Sequence, residues 1–287
     1  MKLGKPVVTE WLESILVDPI TKISTSPRDF PRVHGVIDAR VFLKNTYGYS
    51  KWSEGQEEFE NWEAKNSASH VKKTSDQSMT NLEKFRAEIL YDKPIYENFR
   101  LLGRVLDVGG SSGMVREHLG KDVKYVSIDP NPNAPFNVDL DRLQAYSCLS
   151  QDFAFLCGTA EFLPFSASSF DWVHMRSMLD HVQVPDLALL EANRVLNLNG
   201  FLLVGISIEG NADGKLTLKE WAIENIRVLA KVFRIKKWQD HHLWHPTVPN
   251  LKKLISDNGF EIVEMYWQPI HKNKVLYVKA RKVPMKA

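Results

Sequence analysis

The sequence predicts an α/β protein built on a doubly wound, mostly parallel sheet, preceded by a small strand-rich piece. Two observations carry this expectation. From Gly103 onward, short β-branched runs alternate with helical spacings, the order that lays helices on both faces of a parallel sheet. Near the C-terminus, two strand-like runs stand close enough in sequence to pair antiparallel, which places an antiparallel strand near one edge.

Three regions read differently: 1–45, short and strand-like; 46–102, a linker or lid with a helix; and 103–283, the α/β domain. Prolines at 19, 27 and 31 break up the first region. The second holds Tyr47, Tyr49 and Trp52, then a Ser/Lys-rich stretch from Lys65 to Ser78 with loop composition. In Asn81 to Tyr91 the apolar residues Leu82, Phe85, Ile89 and Leu90 have helical spacing. Val105 to Val108 reads as the first strand of the third region, with a glycine loop and a helix through Leu119 after it. Strands are then expected at Lys124–Ile128, Phe153–Cys157, Phe170–Met175 and Phe201–Ile206. A helix over Leu187–Leu196 precedes Asn199-Gly200, a stop signal, and Thr217–Phe233 and Pro249–Asn258 are further helices. Phe260–Trp267 and Lys274–Arg281 are the final pair of strands.

Composition narrows the class. With 287 residues, 44% hydrophobic and 25% charged, the chain is ordinary for a globular enzyme. A net charge of +2 argues for neither nucleic acid nor a membrane surface. Two cysteines, Cys148 and Cys157, are too few for a disulfide framework and read as free thiols in a reducing compartment. No apolar run reaches the roughly 18 residues a bilayer span needs, and Met1 to Glu10 lacks the apolar core of a secretory signal. The cytoplasm is the expected location. No stripe reads as a dimer seam, so oligomeric state stays open.

The chemistry centres on the run Asp107-Val108-Gly109-Gly110-Ser111-Ser112-Gly113. An acid near the end of a strand, followed at once by glycines, makes a tight turn that lets backbone approach a ligand. Asp107 is placed to hold the ammonium of a methionine moiety. Asp129, ending the next strand, is placed to accept both ribose hydroxyls of an adenosine, with Pro130 beside it. A turn without a ligand and a dinucleotide site are the alternatives. Against the latter, the loop reads D-x-G-x-S-x-G rather than G-x-G-x-x-G, and Asp107 would repel a pyrophosphate.

Gly103 to Arg281 resembles a class I S-adenosylmethionine-dependent methyltransferase, of the group that includes the ubiquinone and menaquinone C-methyltransferases. Beyond the loop, Gly158-Thr159-Ala160-Glu161-Phe162-Leu163-Pro164-Phe165 is similar to G-D-A-E-x-L-P-F, with Thr159 where Asp is usual. Phe170-Asp171-Trp172-Val173 and Asp180-His181-Val182 resemble the fourth-strand motif and its E-H-V continuation. Glu191, Arg194-Val195-Leu196 and Asn199-Gly200-Phe201 are similar to E-x-x-R-V-L-K-P-G-G. The resemblance implies a Rossmann-like seven-stranded sheet, S-adenosylmethionine as cofactor, and Thr159, Ala160 and Glu161 lining the adenine. Trp11 to Lys22 resembles the L-x-x-I-L-x-C-P-x-C-K start of a zinc-ribbon-like methyltransferase-activator domain, and Phe30 to Ile37 the turn that ends it. Asp18 and Thr21 stand in place of the two cysteines, so no zinc is expected. An unrelated hairpin arm is the alternative.

Methyl transfer needs nucleophile, methyl and sulfur in line and, where required, a base. In this fold the acceptor meets the methyl at the C-terminal strand ends, which makes Arg176, Ser177, His181 and the segment after Ile206 candidates. Arg176 is equally suited to a ligand carboxylate or a nearby acid, and His181 to a base or a packing role. His174, inside a strand, reads as packed. The cluster Asp240-His241-His242-Leu243-Trp244-His245-Pro246-Thr247 is similar to a D-x-H-x-x-x-x-T segment of the family, making His241, His242 and His245 catalytic candidates and Trp244 an acceptor contact. No metal is expected there. Tyr47, Tyr49 and Trp52 are candidates for a lid over the acceptor, or for a staple between the two regions. From Lys219 to Asp240, six basic residues stand against three acidic ones, a charge excess typical of a solvated face. Near-neutral charge favours a small-molecule methyl acceptor over RNA or protein, and a SAM- or partner-binding protein without catalysis is a third reading.

Overall fold

The computed structural model describes residues 2–42, 80–211, 244–269 and 275–284, with scattered positions between 214 and 226. Its elements in chain order are β1 (Pro6–Val7), α1 (Glu10–Ile15), β2 (Arg32–Val33), β3 (Val36–Ile37) and α2 (Asn81–Phe99). Next come β4 (Arg104–Val108), β5 (Lys124–Asp129), α3 (Leu140–Ala145), β6 (Phe153–Cys157) and β7 (Phe170–Arg176). The last are α4 (Pro185–Val195), β8 (Leu196–Ser207), α5 (Val248–Asp257), β9 (Phe260–Trp267) and β10 (Val275–Lys282).

The main sheet runs β1-β6-β5-β4-β7-β8-β10-β9. β10 pairs antiparallel with both β8 and β9, while the pairs from β1 to β8 are parallel. The expected Rossmann-like sheet is therefore present, with the antiparallel strand one place in from the edge. It has eight strands rather than seven, because β1 adds itself beside β6. The order reverses at β4, so the carboxyl ends of β4 and β7 form the crevice where ligands of such sheets bind.

Side-chain alternation along the strands sorts the core into two faces. Leu106, Val173, Leu202, Val204 and Val278 pack with α4 and α5 in one cluster, which also takes Leu12 and Ile15 of α1. Trp11 and Phe165 meet Phe170 edge-on at 5.6 and 5.1 Å, so the N-terminal piece shares the core of the main domain. On the other face, Ile95, Tyr96 and Phe99 of α2 pack on Val105, Trp172, Leu203 and Tyr277. Gly205 makes room for the Tyr277 ring, since a Cβ there would come within 2.4 Å of it.

Three local expectations change. The helix after the glycine loop is a five-residue 3₁₀ helix, Met114–His118, closed by Leu119 N–H to Arg116 O before Gly120 turns toward β5. α2 continues past Tyr91 and through Pro94 to Phe99. Burial of Ile95, Tyr96 and Phe99 offsets the one N–H that proline lacks. β8 starts at Leu196 rather than Phe201: Leu196 pairs with Phe170 and Phe201 with Trp172, and the segment between bulges, with Asn199 at φ 66°. The expected helix at Thr217–Phe233 lies almost wholly outside the described residues.

Candidate active site

The glycine loop leaves the carboxyl end of β4. Gly109, Ser111 and Gly113 all take positive φ, at 72°, 48° and 73°. A Cβ on Gly109 would lie 2.8 Å from the Cβ of Met178, so only glycine lets the loop pass under the turn after β7. Gly110 sits closer still to its own strand, where a Cβ would be 2.4 Å from Asp107 Oδ2. The loop is pinned by Gly109 N–H to Ile128 O at 2.8 Å and Gly113 N–H to Gly110 O at 2.8 Å.

Asp107 is only 3% exposed. Its Oδ2 accepts from the Tyr125 hydroxyl at 2.6 Å, and its Oδ1 lies 2.7 Å from His174 Nδ1. Both oxygens of this enclosed carboxylate are therefore engaged beneath the loop, by Tyr125 and His174. Asp129 is half-buried at the end of β5 and accepts from the Ser111 amide at 3.2 Å and the Asn131 amide at 2.9 Å. It therefore braces the far side of the same loop.

The adenine-side run is held less openly than its motif implies. Thr159 donates its hydroxyl to Val41 O at 2.9 Å, and Ala160 is buried. Glu161 is buried, and its Oε1 accepts from the amides of Gln183 and Val184, at 2.9 and 3.4 Å, ahead of α4. Burial pushes its carboxyl above the usual range. Glu161 thus ties this run to the segment that opens α4.

One feature of this corner has no signal in the sequence. Residues 38–42 cross it, with Ala39 N–H on Cys157 O at 2.9 Å and Arg40 Nη1 donating to Pro130 O at 3.2 Å. Arg40 is itself held by Asp38, through Nε to Oδ1 at 2.8 Å and Nη2 to Oδ2 at 2.7 Å. No periodicity or motif marks Arg40 or Val41; only the parallel bridge of Asp38 beside Cys157 brings them there.

At the acceptor end, Arg176 pairs with a nearby acid, one of the two roles its position suggests. Both its Nη atoms engage Asp92 of α2, and Gln268 Nε2 donates to Asp92 Oδ1 at 3.1 Å. His181 sits in the turn after β7, its N–H on Met178 O at 2.9 Å and its Nε2 3.9 Å from Asp180. Trp244 Nε1 donates to Leu179 O at 2.9 Å, and His245 Nδ1 lies 3.3 Å from Glu209 Oε1. Glu209 N–H in turn donates to Pro246 O at 2.9 Å. His181, Trp244 and His245 are thereby gathered over the carboxyl ends of β7 and β8, and Glu209, in the candidate segment after Ile206, stands beside His245. His241, His242, Tyr47, Tyr49 and Trp52 lie outside the described residues. Among the described residues, no group of three His, Cys, Asp or Glu could hold a metal ion. Burial raises both thiols, Cys148 and Cys157, to about 12, which leaves them without nucleophilic character near neutrality.

Residues 106–204 match the model of a methyltransferase domain, a span running from β4 into β8 and enclosing the loop, Asp129, Thr159 and His181. The chain is an enzyme with a methyltransferase domain. No curated protein matches the sequence. Among solved structures, a protein from Bacillus halodurans C-125 described as a methyltransferase is 19% identical, with a TM-score of 0.50, over 71% of this chain and 99% of its own. The 1,6-didemethyltoxoflavin-N1-methyltransferase of Burkholderia thailandensis, solved with 1,6-didemethyltoxoflavin and S-adenosylhomocysteine, is 15% identical. Its TM-score is 0.50, over 88% of this chain and 98% of that one. At these identities the likenesses establish the fold of the methyltransferase domain.

Proposed function

We propose that the chain transfers a methyl group from S-adenosylmethionine to a small-molecule acceptor. The observation that carries the reading is the loop Gly109–Gly113, bare of side chains where it meets Met178 and Asp107, set between β4 and Asp129 at the reversal of strand order. These residues fit the cofactor: the loop backbone for its amino-acid end, Asp129 and Pro130 for the ribose, and Thr159 and Ala160 for the adenine. S-adenosylmethionine supplies an electrophilic methyl on a sulfonium. The chain supplies position and exclusion of water. His181, Trp244 and His245 bound the acceptor side, and either histidine is placed to take a proton from an O–H or N–H acceptor.

The near-neutral charge supports a small acceptor, and the Burkholderia thailandensis neighbour is in keeping with it, since that protein was solved with a small molecule and S-adenosylhomocysteine. Kinship to the ubiquinone and menaquinone group rests on the strand-end motifs. The likeness of residues 11–37 to an activator domain favours an RNA or protein acceptor as the second reading.

Calorimetry with S-adenosylmethionine and S-adenosylhomocysteine tests the cofactor. Absence of binding to the folded chain overturns the proposal, and unchanged affinity in Asp129→Ala overturns the placement of the site. Labelled methyl appearing in a small-molecule extract, and not in RNA or protein, separates the two acceptor readings.

A further inference from the structure

Beneath the glycine loop runs a buried chain of polar side chains that binding of a cofactor does not by itself require. Strand alternation puts Tyr125 of β5, Asp107 of β4 and His174 of β7 on the face covered by α2, and Asp107 is the cross-strand partner of His174. Tyr125 donates to one carboxylate oxygen and His174 Nδ1 meets the other. A carboxylate only accepts, so Nδ1 carries a hydrogen; in the neutral imidazole Nε2 is then the acceptor for the Tyr96 hydroxyl, 3.3 Å away. Tyr96 stacks on His118 at 4.8 Å, just past the loop. His174 is 1% exposed, so water cannot replace a lost partner cheaply.

The top of this chain is the underside of the loop. With no room for even a Cβ between Gly110 and Asp107 Oδ2, a shift of the carboxylate is transmitted directly to the Gly110 backbone. We propose that Tyr125 and His174 are positioning residues for the methyltransferase site: they lock the Asp107 carboxylate under Gly110 and thereby set the loop conformation on which cofactor affinity depends. The affinity half of this rests on the cofactor reading above; the loop half does not. Burial and the neighbouring Asp107 charge raise the Tyr125 hydroxyl well above its ordinary value, so it stays a donor across the working range.

The test uses the full chain and the variants Tyr125→Phe, His174→Leu and His174→Asn, the last keeping an N–H donor near the position of Nδ1. Hydrogen exchange is followed at the hydrogen-bonded amides of Gly109, Ser111 and Gly113, with Val278 in β10 as a remote reference. Tyr125→Phe and His174→Leu are expected to speed loop exchange about tenfold or more while Val278 is unmoved, and His174→Asn to restore most of the protection. Nitrogen chemical shifts of His174 should report the Nδ1–H tautomer. Calorimetry with S-adenosylhomocysteine should show affinity falling about tenfold in the same order. Loop exchange unchanged in both Tyr125→Phe and His174→Leu, or changed equally at Val278, overturns the proposal. Unchanged affinity despite a loosened loop overturns its second half, and failure of the wild-type chain to bind removes the cofactor reading while the exchange data still decide the positioning.

Discussion

The Thr159 hydroxyl and the Val41 carbonyl, 118 positions apart in the chain, are joined by a 2.9 Å hydrogen bond at the adenine-side corner of the crevice. This contact and the Ala39 amide on Cys157 O hold residues 38–42 across the ends of β5 and β6. Thr159→Val keeps the shape and removes the donor. It is expected to cost about 1 kcal/mol in urea unfolding and to weaken S-adenosylhomocysteine binding several-fold, measured by calorimetry.

Asp92 of α2 and Arg176 of β7 form a bidentate ion pair between that helix and the sheet, and both oxygens of Asp92 are used. Replacing Asp92 by Ala leaves the guanidinium in a half-buried place without its counter-charge. The loss expected is roughly 2–3 kcal/mol, read as a lower midpoint in denaturant with an unchanged slope. Equal stability of the variant would mean that Arg176 finds another partner.

Glu191 ties the N-terminal piece to α4. It accepts from Lys22 at 2.7 Å, from the Leu163 amide at 2.8 Å and from Arg194 at 2.7 and 2.8 Å. Burial pushes its carboxyl up, but the bonds from Arg194 and Lys22 outweigh this and hold it below the usual range. The folded value being lower than the unfolded one, the stabilisation is fully present above the ordinary value of 4.5. It is lost as pH falls through the folded value. Unfolding curves from pH 6 down to about 3 should show a steeper loss in the wild type than in Glu191→Gln.

Cys148 and Cys157 are buried and their thiols raised to about 12. An aromatic disulfide reagent at pH 8 should therefore leave both unmodified in the folded chain and titrate both in denaturant. Rapid reaction of either in the folded state would contradict their placement in the core.

Much of the domain is legible along the chain because its signals are local. Phe153–Cys157 and Phe260–Trp267 were expected at the bounds they have, since β-branched and aromatic runs between turn residues specify strands on their own. The loop could be located because glycines and a strand-end acid are needed within a few residues of each other. Glu161 shows where such reading stops. Its motif marks the right turn, yet whether its carboxylate faces the crevice or the start of α4 depends on amides 22 and 23 positions away.

By itself, then, the sequence determined the alternation of strands and helices, the antiparallel pair at the end, the position of the loop and the acids on either side of it. Those follow from backbone propensity and spacing, which act over a few residues. Only the tertiary structure decided that Asp107 is sealed beneath Gly110 by Tyr125 and His174, that Arg176 is committed to Asp92, and that Glu209 stands beside His245. Such partnerships join elements tens to more than a hundred residues apart. Burial makes each donor and acceptor find a partner, and the packing of the sheet, rather than any local pattern, selects which.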